Sequence, residues 1–373
     1  MKILFIHPTL RNYRIELFEK LHQKFDITYL FLQQKRGGID LPSNWNYSII
    51  DLDYGLDFFK NLKNWLSFTF KLFKEEYDII IASPAESLDS IIALLITKLK
   101  KKKIIFWGES WYYPSNISLR YLRFKLVMFL LSLGDAVIGS GNISSEFYKK
   151  FIKKNIIFNA PNYVPPLQII DTSPFLKKLY KKDKKIVKKK IVLYLGRIIE
   201  RKGLDYLIKA FKLLEEKFDD VYLLIVGDGP FIQQCRKLTL ELGVENIMFT
   251  CQVPDNEIPI YYNLCDIFVL PAILIKDHPE AIGLVVCEAM SVGKPIVVTN
   301  SVGALQYVQD GENGYVVQDK NDKELYEALS KILIDEELMK KMGRKSKEIY
   351  DEKINLEKQY NTFVNVIEQI IKR

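Results

Sequence analysis

Short apolar runs rich in β-branched residues alternate along this chain with amphipathic stretches of ten to eighteen residues. In the first half the runs are Ile3 to Ile6, Ile27 to Phe31, Ile79 to Ala82, Ile104 to Trp107, Ala136 to Ile138 and Ile156 to Phe158. Between them apolar positions recur three and four apart, as in Ile15, Leu17, Phe18 and Leu21, which is the spacing of one helix face. The second half repeats the alternation, with runs at Ile191 to Leu195, Tyr222 to Val226, Ile247 to Phe249, Ile267 to Leu270, Ile296 to Val298 and Tyr315 to Val317. Strands that are apolar on both faces, each followed by a helix, predict a parallel sheet covered on both sides. Two such sets predict an α/β chain of two doubly wound, Rossmann-like domains, over 1–165 and 191–353. The stretch 166–190 carries Pro166, Pro174 and nine lysines between Lys177 and Lys190, breaks the alternation and reads as a linker.

Composition agrees with two globular cores. A chain of 373 residues exceeds what one core covers, and 48% hydrophobic with 27% charged residues is a folded balance. Cys235, Cys251, Cys265 and Cys287 form no C-x-x-C pair, and His7, His22 and His278 form no metal-binding cluster. Neither a disulfide framework nor a zinc site is indicated, and a reducing, cytoplasmic location is expected. No secretory leader is evident, and runs such as Leu126 to Leu133 fall short of the roughly 18 apolar residues that span a bilayer.

Charge is divided unevenly. Residues 1–190 hold 32 Lys+Arg against 17 Asp+Glu, and residues 191–373 hold 22 against 29. A basic half suggests nucleic acid or an anionic membrane as a partner, although nine of those cations sit in the expected linker. No nucleic-acid-binding motif is present, and no nucleic acid is expected. The segment 118–130 combines Arg120, Arg123 and Lys125 with large apolar groups. It suits a core-facing helix with snorkelling cations or a helix lying peripherally on an anionic membrane.

In doubly wound sheets ligands bind beyond the carboxyl ends of the strands, so the residues after each strand are the candidates. After Leu195 comes Gly196-Arg197-Ile198-Ile199-Glu200-Arg201-Lys202-Gly203. Arg197 and Lys202 place cations at a strand end and a helix start, where the macrodipole opposes them unless an anion is also bound. The strand Tyr222 to Val226 ends in a second glycine turn, Gly227-Asp228-Gly229. Further on, Gly283 is expected to open a helix, leaving the N–H groups of Leu284 and Val285 as unpaired donors. Glu280 precedes that helix and Glu288 lies about one turn inside it. Carboxylates beside an anion site suit hydroxyl-rich groups, so a diphosphate with a sugar at each end satisfies the whole set.

Glu280 and Glu288 form an E-x7-E pattern. With Gly196-Arg197…Lys202-Gly203, Gly293-Lys294-Pro295 and Asp310-Gly311-Glu312-Asn313-Gly314, the second half resembles the retaining glycosyltransferases of family 4, which have the GT-B fold. The first half matches more loosely, through Arg11-Asn12-Tyr13-Arg14 and Pro161-Asn162. The resemblance implies a C-terminal nucleotide-sugar domain and an N-terminal acceptor domain joined by a returning helix, 354–373. It implies that Arg197 and Lys202 hold the diphosphate, assisted by backbone around Gly283 and Leu284; Gly196, Gly227 and Val285 join them as donor-binding candidates from their turns and helix start. Glu288 then takes the ribose hydroxyls and Glu280 those of the transferred sugar. Many members carry a His after the strand that here ends at Trp107; this chain has Glu109, which takes that place as a candidate contact to the sugar or the acceptor. His7 and His278 are further candidates by position.

The implied reaction moves a sugar, with retention, from a UDP- or GDP-linked donor to a saccharide or lipid-linked saccharide acceptor. No cofactor and no metal is expected, because Arg197 and Lys202 supply the positive charge and the one Asp-x-Asp, Asp51-Leu52-Asp53, lies in the poorly matched half. Front-face transfer is favoured over double displacement through Glu280. A sugar-nucleotide epimerase or phosphorylase of the same fold, or a nucleotide-binding protein without transferase activity, remain as alternatives.

Overall fold

The computed structural model describes residues 1–32, 42–52, 62–113, 119–153, 156–276 and 278–372. Asp53, Ser118 and Arg373, which end or begin stretches named above, lie outside them. The chain divides into two compact units, Met1–Tyr163 with Asn355–Arg373, and Val164–Ile354.

The first unit begins β1 (Lys2–His7), α1 (Asn12–Lys24), β2 (Asp26–Phe31), β3 (Asn46–Ile49), α2 (Leu62–Lys74), β4 (Ile79–Ala82) and α3 (Leu88–Leu99). It continues with β5 (Lys103–Gly108), α4 (Leu119–Leu131), β6 (Ala136–Gly139), α5 (Asn142–Phe151) and β7 (Ile157–Asn159). The strands form one parallel sheet in the order β3-β2-β1-β4-β5-β6-β7, so the order reverses between β1 and β4. Central strands such as β4, Ile79 to Ala82, are buried at every position, as strands covered on both faces must be. β3 lies at the edge and reads Asn-Tyr-Ser-Ile with no fully buried residue, which is why hydrophobic patterning does not reveal it.

The second unit runs α6 (Ser173–Lys182), β8 (Lys190–Leu195), α7 (Leu204–Lys217), β9 (Val221–Val226), α8 (Ile232–Leu242), β10 (Ile247–Phe249), α9 (Ile258–Leu264) and β11 (Ile267–Leu270). It ends with α10 (Leu284–Ser291), β12 (Ile296–Thr299), β13 (Gly314–Val317), α11 (Asp322–Ile334) and α12 (Glu336–Lys353). Its parallel sheet has the order β10-β9-β8-β11-β12-β13, reversing between β8 and β11. Leu207, Phe211 and Leu214 of α7 pack with Leu325, Leu329 and Ile332 of α11 over one face of that sheet. The stretch 166–190, expected to be a linker, belongs to this unit and carries α6. Pro174 sits in the first turn of α6, where a missing N–H costs no hydrogen bond, and the lysines surround a buried Leu179.

The last helix, α13 (Leu356–Ile371), belongs to the first unit. Its Phe363, Val364, Ile367 and Ile370 join Leu17, Phe18 and Leu21 of α1 and Phe5, Ile81 and Trp107 of the sheet in one buried cluster. Helices α2 to α5 cover the opposite face.

Candidate functional site

The candidate donor site forms where the strand order of the second unit reverses. β8 ends in Gly196-Arg197, and the turn after β9 lies directly against it. A Cβ on Gly227 would stand 1.9 Å from the Gly196 carbonyl oxygen, so only glycine permits the two loops to touch backbone to backbone. The Ile198 N–H donates to the Asp228 carbonyl at 2.8 Å, and the buried Tyr194 hydroxyl donates to the Arg197 carbonyl at 2.9 Å. These loops, together with Gln252, Val253, Asp255 and Ile258, line a cavity of about 640 Å³. Arg197 is exposed at its edge.

The loops after β8 and β11 are neighbours, and a charge cluster joins them. Gly203 adopts a left-handed conformation (φ +63°) between the 3₁₀ turn Glu200–Lys202 and α7, and a side chain there would collide with the Pro271 carbonyl. That turn delivers Lys202, 8% exposed, to within 3.0 Å of Glu280 Oε2. Arg201 Nη1 lies 2.7 Å from the same oxygen and donates to the Pro279 carbonyl at 2.8 Å. Glu280 is itself pinned by its backbone: its N–H donates to Ser301 and its carbonyl accepts from Gly303, both at 2.9 Å. Burial lowers the Lys202 pKa, and the Glu280 carboxylate opposes that shift. Two of the expected residues, Lys202 and Glu280, are therefore paired directly. Arg201 was passed over in the sequence although it stands beside Lys202; two adjacent cations before a glycine were the available signal.

α10 begins at Leu284, with Gly283 as a left-handed cap that offers no side-chain hydrogen bond. The half-buried Leu284 and Val285 supply its first N–H groups, while the Val286 N–H turns back to the Gly283 carbonyl. One turn on, Glu288 Oε2 accepts from the hydroxyl of fully buried Tyr262 at 2.7 Å. Desolvation raises the Glu288 pKa, and the Tyr262 bond works against it. His278 is exposed in the loop before Glu280.

In the first unit a second polar cluster follows β1 and β5. Arg14 of α1, 2% exposed, lies with its guanidinium 3.9 Å above the Trp107 ring. Its Nη2 reaches Glu109 Oε1 at 2.6 Å and its Nη1 reaches Asn162 Oδ1 at 2.8 Å. The two first-half segments that matched loosely by sequence thus meet at Arg14, which also reaches Glu109. His7 is buried, and its Nδ1 lies 2.9 Å from the Thr9 carbonyl. Burial, with the Arg14 charge beside it, holds its pKa down at about 3, so this imidazole stays neutral near pH 7. Glu86, bonded to the Tyr148 hydroxyl, has its pKa raised by burial.

Residues 177–349 match the family described as "Glycosyl transferases group 1". Over that stretch the chain is similar to this family. The matched stretch contains every donor-side candidate, from Gly196 to Glu288, whereas Glu109 and Arg14 fall outside it. A GDP-mannose-dependent alpha-(1-6)-phosphatidylinositol monomannoside mannosyltransferase of Mycobacterium tuberculosis is 33% identical over 160 residues, 42% of this chain and 42% of that protein. The chain thus spans about two fifths of the length of that curated relative. An uncharacterized glycosyltransferase of Haemophilus influenzae is 27% identical over 333 residues, covering 87% of this chain and 86% of its own. The crystal structure of Anabaena HepE in complex with UDP and glucose superposes with a TM-score of 0.76 at 16% identity, covering 99% of this chain and 100% of that one. The fold of the two units is the GT-B fold. Among the described residues no helix is long and apolar enough to cross a membrane.

Proposed function

We propose that this chain transfers a sugar, with retention of anomeric configuration, from a UDP- or GDP-linked donor to a saccharide or lipid-linked saccharide acceptor, without a divalent metal. The observation that carries the reading is the cluster of Arg201, Lys202 and Glu280 in the same unit as the glycine-walled cavity edged by Arg197. The relatives support it: one is named for a GDP-mannose donor and a phosphatidylinositol mannoside, and the Anabaena structure holds UDP and glucose.

Breaking the bond between the anomeric carbon and the diphosphate oxygen places negative charge on the leaving diphosphate. Arg197, Lys202 and the α10 N–H groups of Leu284 and Val285 stabilise that charge, as a divalent ion would. The acceptor oxygen bonds to the same face of the anomeric carbon, and its proton passes to the departing diphosphate oxygen. Glu280 accepts hydrogen bonds from the sugar hydroxyls and Glu288 from the ribose. Two cations on Glu280 Oε2 draw off the electron density that a nucleophile would need, which favours front-face transfer over a glycosyl-enzyme intermediate. Glu109, aimed by Arg14, receives the acceptor hydroxyl.

The test is a panel of UDP- and GDP-sugars followed by thermal shift, then by nuclear magnetic resonance of the product formed with the best donor. A donor at about 100 times its dissociation constant adds about 2.7 kcal/mol of stability. An inverted anomer, or an epimerised sugar nucleotide with no acceptor product, overturns the assignment.

A further inference from the structure

Helices α2, α3 and α4 lie side by side on one face of the first sheet, and each is apolar twice over. Their inner faces fill the core, with Trp65, Phe68 and Leu72 on α2, Ala93, Leu94 and Ile96 on α3, and Val127, Met128 and Leu131 on α4. Their outer faces carry a second apolar set. On α2 these are Leu62, Leu66, Phe70 and Phe73, of which Phe70 is 68% exposed. On α3 they are Leu88, Leu95 and Leu99. From α4 into the turn that follows it they are Leu119, Leu122, Leu126, Phe129 and Leu133, spaced alternately three and four residues apart. Such spacing puts each set on a single stripe. A helix facing water does not need a second apolar stripe, and exposed apolar rows on three neighbouring helices mark an interaction site.

The charges around these stripes select the partner. α2 contains Lys63, Lys71 and Lys74 and no acidic residue; α4 contains Arg120, Arg123 and Lys125 and again none. α3 contains Lys98, and its one carboxylate, Asp89, is fully buried. The exposed charge of all three helices is therefore positive. A second copy of the same face would bring cation against cation, whereas an anionic bilayer accepts leucine and phenylalanine between its headgroups and lysine and arginine beside its phosphates.

We propose that the outer face of α2, α3 and α4 docks on an anionic lipid bilayer, with Leu66, Phe70, Leu122 and Phe129 inserted and Lys63, Lys74 and Arg123 at headgroup level. The segment around 118–130 pointed to one such helix; the structure assigns three. The attachment stands apart from the transferase reading, because it requires no donor, acceptor or turnover.

The full chain is sedimented with vesicles of phosphatidylcholine alone and of phosphatidylcholine with phosphatidylglycerol, at low and high salt. Binding is expected only with the anionic vesicles, and it should weaken with salt as charge screening increases. The variant Leu66→Gln, Phe70→Gln, Leu122→Gln, Phe129→Gln changes exposed positions only. It should keep the melting temperature while losing tenfold or more of vesicle binding; Lys63→Glu, Lys74→Glu, Arg123→Glu should lose binding without any loss of apolar surface. Three results overturn the proposal: no binding of the parent chain, equal binding by parent and glutamine variant, or a lipid-free dimer that the glutamine substitutions abolish. The last would make a second copy the occupant.

Discussion

Replacing Glu288 by glutamine separates its proposed role from its structural one. Glu288 Oε2 accepts a 2.7 Å hydrogen bond from Tyr262, whose hydroxyl has no access to water. Glutamine keeps an oxygen in that place, so Tyr262 stays paired and the fold should hold. What disappears is the negative charge. A hydrogen bond to a charged acceptor contributes about 1.5–3 kcal/mol and a neutral one about 0.5–1.5. The loss is therefore about 1 kcal/mol per ribose hydroxyl. For two hydroxyls it is about 2 kcal/mol, or roughly 30-fold weaker binding of the nucleoside diphosphate.

Two controls sharpen this test. Glu288→Ala leaves the Tyr262 hydroxyl buried without an acceptor and should cost about 1–3 kcal/mol of stability, which glutamine does not. The pH dependence has a definite sign. Because burial raises the Glu288 pKa, the folded state holds this proton more tightly than the unfolded chain does, so the carboxyl costs stability as pH rises from its ordinary range through the raised value. Nucleotide affinity moves the other way and falls as pH drops and the carboxylate is protonated; the glutamine variant lacks this acid limb. Calorimetric titration with UDP and GDP reads the affinities and thermal melting reads the stabilities. An unchanged dissociation constant in Glu288→Gln refutes the ribose role.

Further outcomes follow from the same geometry. Arg197→Ala and Lys202→Ala should each lower turnover about a hundredfold, measured as initial rates at saturating donor, and near-parental rates in both would remove them from diphosphate stabilisation. Activity should survive exhaustive chelation with EDTA; a strict dependence on Mg²⁺ or Mn²⁺ contradicts the cation argument. Gly227→Ala should cost about 1–3 kcal/mol and nucleotide affinity together, since its Cβ would meet the Gly196 carbonyl at 1.9 Å, and an unchanged melt would show that the loops part freely. Ile367→Ala should destabilise the first unit by about 2–5 kcal/mol because Ile367 is fully buried. For the same reason deleting α13 outright would test folding rather than transfer.

Two parallel sheets were legible in the order of the amino acids because a strand buried on both faces must be apolar throughout, and runs such as Ile79 to Ala82 admit little else. The donor-side candidates were legible for a related reason. Gly196 to Gly203 and Glu280 to Glu288 are each continuous in sequence, since a strand end and the helix start after it are made of neighbouring residues. The edge strand β3 was not, because it is mostly polar, and neither was the helix α6, because its few apolar positions, Phe175, Leu176 and Leu179, stand among prolines and lysines that read as a linker. Tertiary structure alone paired Arg201 and Lys202 with Glu280, about eighty positions away. It alone brought Arg14 to both Glu109 and Asn162. Those contacts depend on which strands lie side by side, β8 with β11 and β1 with β4 and then β5, and strand order leaves no mark in local periodicity. The same holds for α2, α3 and α4: their sequences show that they are apolar, and only the sheet beneath them decides which apolar stripe is buried and which faces outward.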